Sequence, residues 1–268
     1  MRMVVGTMTG TSMDAVDAVT VEIVGHGLEM QTSFHSMAST PIGEIQNELK
    51  ELSCQSTPQY NRDLALQVGQ ITAKTIQKLN LTGIDLIALH GQTIYHKPPT
   101  SIQLIDPTPI IEQFECMVLN DPRQADLTLG GQGAPITPLA DWVMFRSLKQ
   151  STAIVNLGGF SNITLIPADC EIDEIRGCDV CCCNLILDAI ARDRLDTPFD
   201  EGGEHACNGT VDNEFASWLT HQLQTQHDSG HSLGTGDDLG TAVIQQGKHL
   251  QTSDLLATVT HAIGSVIS

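Results

Sequence analysis

Apolar positions at Val4 and Val5 run into a stretch of small and polar residues, Gly6-Thr7-Met8-Thr9-Gly10-Thr11-Ser12, and resume in alternation after Asp14 and Asp17. That pattern predicts strand, tight turn, strand. It returns at Ala153 in AIVNLGGFSNITLIP, where Asn156-Leu157-Gly158-Gly159 is the turn and Asn162 and Thr164 open the second strand. Between the two hairpins the period lengthens. A third short strand is expected near residues 34–37, then a helix over 41–53 with Ile42, Ile45 and Leu49 on one face. A second helix, over 58–79 with Thr57 as its cap, carries Leu64, Val68, Ile71, Thr75 and Leu79 at three- and four-residue spacing. The largely apolar run 84–91, which ends in a polar turn, reads as a buried parallel strand, followed by a short helix (108–115), a strand (116–119) and a helix (137–148). After the second hairpin come a strand over 175–179 and helices over 184–193, 211–223 and 252–267.

Two hairpins of one design, each heading about half of the chain, predict an internal duplication, with a first domain over 1–150 and a second over 151–268. This is the layout of the α/β actin/hexokinase-type (ribonuclease H-like) ATPases, in which two similar domains carry hairpin loops that grip the β- and γ-phosphates of a nucleotide. The chemistry suits such loops. Glycines let backbone N–H groups approach an anion, hydroxyls add donors, and a carboxylate such as Asp14 can hold Mg2+ through water.

Ligands in open α/β sheets sit at the carboxyl ends of parallel strands. The run 84–91 delivers His90, Gly91, Gln92 and Thr93 to such an end, and the next strand delivers Asn120-Asp121-Pro122-Arg123. Arg123 there either forks onto a carboxylate or sugar hydroxyls or is a solvated surface arginine. In the second half, Asp179 lies between a strand end and a helix start, where it serves either as a general base or as a helix cap.

Charge narrows the partners: 32 acidic against 13 basic residues give a formal net charge of −19, which argues against nucleic acid and against an anionic membrane surface. No apolar run approaches membrane-spanning length, and the first residues do not resemble a signal peptide, so a cytoplasmic protein is expected. Of eight cysteines, Cys178, Cys181, Cys182 and Cys183 crowd together, which suits a reducing compartment better than a disulfide framework. The Cys-x-x-Cys spacing from Cys178 to Cys181 also admits a metal or redox site, and a cysteine near a helix start can be reactive.

The segments GTMTGTSMDAVD, HGQTIYHKP, NDPRQADLTLGGQGAPITP, NLGGFSNIT and GCDVCCCNLILDA, in that order, resemble the anhydro-N-acetylmuramic acid kinases across nearly the whole chain. The resemblance implies an actin/hexokinase-type fold, ATP and Mg2+, hydrolysis of the 1,6-anhydro ring of the cell-wall sugar and phosphorylation of its O6. It implies an ATP-phosphate loop at Gly10, Thr11, Ser12, Met13, Asp14, Ala15, Val16 and Asp17, and a second at Asn156, Gly158 and Gly159. Sugar contacts are implied at His90, Gly91, Gln92, Thr93, Arg123 and Asp126, with Asp179 as the base that activates water and Asp14 near Mg2+. Val180, Cys181, Cys182 and Cys183 stand where the family carries Thr-Gly-Pro-Gly, HSLGTGDD near His231 replaces a basic segment, and the family continues beyond the position matched by Ser268. The expected second domain is therefore incomplete, with an exposed apolar face that would favour a homodimer. A homologue that binds the sugar without phosphoryl transfer is the alternative.

Overall fold

The alternation of the first hairpin is realised as β1 (Arg2–Thr9) and β2 (Ala15–Val24), paired antiparallel from Arg2 opposite Ile23 to Thr9 opposite Val16. The computed structural model describes residues 1–10, 13–230 and 232–268. It divides into two compact units, Met1–Leu148 and Lys149–Ser268.

In the first unit, β3 (Gln31–Pro41) is far longer than the short strand expected and extends the meander along the whole of β2. A single 3-10 turn then leads into α1 (Gln46–Ser53), and α2 spans Arg62–Gln77. Asn61, not Thr57, caps α2: its Oδ1 accepts the Asp63 and Leu64 N–H groups at 3.1 and 3.2 Å. β4 (Leu86–Leu89) follows, then a hairpin of β5 (Gln92–Lys97) and β6 (Thr100–Leu104), α3 (Thr108–Gln113), β7 (Met117–Asn120), α4 (Arg123–Thr128) and α5 (Thr137–Phe145). The five-stranded sheet is ordered β3-β2-β1-β4-β7, with β1, β4 and β7 parallel. Leu49, Val68, Ile76, Ile87, Leu89, Leu104 and Ile110 form the centre of its core. Three parallel strands therefore end at one edge of the sheet, at Thr9, Leu89 and Asn120.

The second unit opens with another antiparallel meander: β8 (Thr152–Leu157), β9 (Phe160–Ile166) and β10 (Arg176–Cys182). A bulge at Val180 separates the Asp179–Asn162 pair from the Cys181–Ser161 pair. Then come α6 (Asn184–Arg194), α7 (Glu204–Cys207), α8 (Asn213–Ser229), α9 (Gly240–Gln246) and α10 (Thr252–Ile267). Cys181, Cys182 and Cys183 are buried with Ile186, Leu219, Leu223 and Leu255, so the cysteine run is core. None of the three has a positive φ, so the family's glycines are replaced here without left-handed strain.

Candidate active site

The edge where β1, β4 and β7 end gathers the residues expected on the sugar side. Gly91, at φ 73, turns the chain out of β4, and its carbonyl accepts both the Thr9 hydroxyl (3.0 Å) and the His90 Nδ1–H (2.9 Å). Arg123, the first residue of α4, points its Nε and one Nη at His90 Nε2 (3.3 and 3.1 Å) and gives its other Nη to the Gly133 carbonyl (3.1 Å). The Gly133 N–H in turn donates to Asp126 Oδ2 at 2.7 Å, and the Gly131 N–H to the Asp126 carbonyl at 2.9 Å. The Gly131–Gly133 loop is thus tied to α4 at both ends, and Asp126 acts as its anchor.

An arginine offers only N–H donors, so the lone pair of His90 must be on Nε2 and the proton on Nδ1. Burial and the neighbouring Arg123 charge both push the His90 pKa down, with the Gly91 carbonyl and Asp121 acting weakly the other way. Gln92 is buried and gives its amide N–H to the Thr93 carbonyl, while the Thr93 hydroxyl donates to Gln103 Oε1 at 2.7 Å. Gln92 Oε1 and Asp121 Oδ1 are buried and have no hydrogen-bond partner among the described residues. Thr9, Gln103 and Gly133 join this network through hydrogen bonds that no local pattern signals, and Asp121, expected at this strand end, faces His90 through its charge.

Beside the network lies a cleft of about 350 Å3, lined by Thr7, Met8, Asp17, His90, Pro122 and Ile136 among others. Asp17, expected on the phosphate loop, stands in this cleft with His90. Earlier in that segment the Gly10 carbonyl accepts the Met13 N–H at 3.1 Å. Met13, at φ 53, and Val16 turn into the core, Ala15 is half-buried, and Asp14 is exposed. Thr11 and Ser12, and His231 further on, lie outside the described residues.

In the second unit, register aligns Asn156, Asn162 and Asp179 across β8, β9 and β10, so the three share one face of the sheet. Asn162 is the member the sequence reading left out of the site. Asp179 does not cap α6, whose N-cap is Cys183. Instead its Oδ2 accepts the Ser232 hydroxyl at 3.0 Å and the Leu233 N–H at 2.8 Å. The turn of the second hairpin is braced by α6: the Gly158 carbonyl accepts the Asn184 N–H, and the Gly159 carbonyl those of Cys183 and Leu185. The helix's first N–H groups are therefore spent on the turn.

The cysteine run does not supply the reactive thiol that a position near a helix start admits. Burial drives Cys182 up to about 12 and Cys183 to about 11, and it raises Cys181 as well, so these thiols stay protonated. Among the described residues no group of three or more His, Cys, Asp or Glu side chains could hold a metal ion.

A mixed α/β chain with two glycine-turn hairpins and a polar strand-end cluster falls, by its matches, among the phosphotransferases that act on sugars. Residues 2–259 match the family described as anhydro-N-acetylmuramic acid kinase. A relative of that name from Clostridioides difficile is 28% identical over 96% of this chain and 72% of its own length. Another from Caldanaerobacter subterraneus is 30% identical over 97% of this chain and 72% of its own. A solved Ppx/GppA-family protein of Aquifex aeolicus aligns over 99% of this chain and 90% of its own, at a TM-score of 0.35 and 10% identity, too low to carry fold or function. This chain belongs to the anhydro-N-acetylmuramic acid kinase family.

Proposed function

We propose that this sugar kinase opens the 1,6-anhydro ring of anhydro-N-acetylmuramic acid with water and transfers the γ-phosphoryl group of ATP to O6, giving N-acetylmuramic acid 6-phosphate. The observation that carries this reading is the family match over residues 2–259, which takes in both hairpin turns, the strand-end network and Asp179. Asp179 takes a proton from water, whose oxygen bonds to the anomeric carbon. The bond from that carbon to O6 breaks, its electron pair stays on O6, and O6 bonds to the γ-phosphorus as the bond to the β,γ-bridging oxygen breaks and ADP leaves.

His90, Gly91, Gln92, Thr93, Arg123 and Asp126 belong to the sugar side in this reading. The segment Gly10–Asp17 and the N–H groups of the Asn156–Gly159 turn meet phosphate. Asp14, an exposed hard-oxygen donor just ahead of β2, fits Mg2+, which takes one carboxylate together with phosphate oxygens and water. When bound, Mg2+ neutralises charge on the transferred phosphate. The two meanders of equal strand order support an actin/hexokinase-type duplication, with a first domain over 1–150 and a second over 151–268. Exposed Phe34 and Met37 on β3 and Met117 and Leu119 on β7 support self-association as a homodimer, and the absence of a membrane-length apolar helix among the described residues accords with a cytoplasmic setting.

Kinetics of Asp179→Asn test the assignment. Loss of a general base should cut kcat by about 10²–10⁴ while Mg·ATP still binds calorimetrically; unaltered turnover would remove Asp179 from the mechanism.

A further inference from the structure

We infer that His90 is a positioning residue for Arg123: it holds the guanidinium through its neutral Nε2 and takes no part in proton transfer. The inference rests on the reading that Arg123 meets the sugar.

Both ring nitrogens are committed. Nδ1 faces the Gly91 carbonyl, which can only accept, and Nε2 faces two N–H groups of Arg123, which can only donate. A histidine so placed has no ring nitrogen left to exchange a proton with a substrate unless Arg123 first moves away. The same geometry fixes the arginine. With Nε and one Nη on His90 and the other Nη on Gly133, the plane of the guanidinium is set by β4, through His90, and by the Gly131–Gly133 loop that Asp126 anchors. Protonating His90 would set a cation and an N–H against the Arg123 donors and release them. The charged groups around His90 are Arg123 on α4, Asp121 after β7, and Asp17 on β2, which lines the same cleft. Burial and Arg123 outweigh the Gly91 carbonyl and Asp121, which favours the neutral ring.

Two substitutions separate a positioning role from proton transfer. His90→Gln puts a carbonyl oxygen near the place of Nε2 and can still accept from Arg123, although it cannot shuttle a proton; His90→Leu can do neither. The expected result is that His90→Leu raises KM for the anhydro sugar about 10–100-fold, the scale of a misplaced binding group, while His90→Gln recovers most of that loss. A drop of about 10²–10⁴ in kcat in both variants is the signature of a general acid or base and would overturn the inference. The ring itself can be read without turnover. Nitrogen-15 spectra of the wild type, with His90 assigned by its absence in His90→Gln, should show a protonated Nδ1 and a bare Nε2. The opposite tautomer, or an imidazolium at neutral pH, would refute the lock. If the wild type fails to turn over the sugar, the proposed function fails, and the spectra still decide the state of His90.

Discussion

Asp179 holds the Ser232 hydroxyl and the adjacent Leu233 N–H on one oxygen, Oδ2, at 3.0 and 2.8 Å, which leaves Oδ1 as the oxygen these two donors do not engage. A carboxylate pinned on one side has its second oxygen oriented in advance, and orientation of a base matters as much as its strength. Ser232→Ala should therefore lower kcat about three- to tenfold, in line with the net worth of one ordinary hydrogen bond, with KM for both substrates little changed. Ser232→Thr keeps the hydroxyl and should restore most of the rate. Steady-state kinetics on the three proteins check this.

The cysteine run should be chemically silent. Cys54, Cys178 and Cys207 are exposed, whereas Cys181, Cys182 and Cys183 lie in the core of the second unit. Alkylation of native protein near neutral pH, read by peptide mass spectrometry, should label the exposed cysteines and spare the run until denaturant is added. Rapid native labelling of Cys182, whose thiol is pushed to about 12, would contradict the packing described.

Gly133 carries three demands at once. Its φ is 69, its N–H donates to Asp126 and its carbonyl accepts from Arg123, and a Cβ there would meet the Leu127 side chain. Gly133→Ala should cost about 1–3 kcal/mol in urea unfolding through left-handed strain and crowding. A change within error would show that the loop relaxes freely.

The lowered pKa of His90 carries a sign for stability as well. Because the fold favours neutral His90, this contribution is fully present above the ordinary 6.5 and is lost as pH falls from there toward the lowered value. The urea midpoint of the wild type should drop relative to that of His90→Gln as pH decreases through this window. Parallel pH curves for the two proteins would contradict a buried neutral ring.

The sequence shows the hairpins because alternation and glycine turns are local signals, and it shows α10 for the same reason. It does not show β5 and β6. Gln92–Lys97 and Thr100–Leu104 are short and sit on either side of Pro98-Pro99, so Gln92 and Thr93 read as a loop end and not as the start of a strand. The start of α2 shifts because Asn61 outcompetes Thr57 as a cap once Pro58 is left outside the helix. The site divides in the same way. His90 and Arg123 stand out by residue type at strand ends, and Asp179 by type alone, since β10 runs on to Cys182 and does not end at 179 as expected; the partners that fix them do not stand out. Gly133 reaches Arg123 across ten residues, Thr9 reaches Gly91 across 82, and Ser232 reaches Asp179 across 53. Asn162 joins Asn156 and Asp179 only through strand register. Nor does composition reveal that three successive cysteines serve as apolar core.

The most direct measurement is mass spectrometry of the sugar after incubation of the purified protein with Mg·ATP and anhydro-N-acetylmuramic acid in 18O-labelled water. The account requires a monophosphate that has gained one labelled oxygen at the anomeric carbon, formed in step with ADP. An unlabelled phosphate that keeps the anhydro ring, or bound but unchanged sugar, would contradict it.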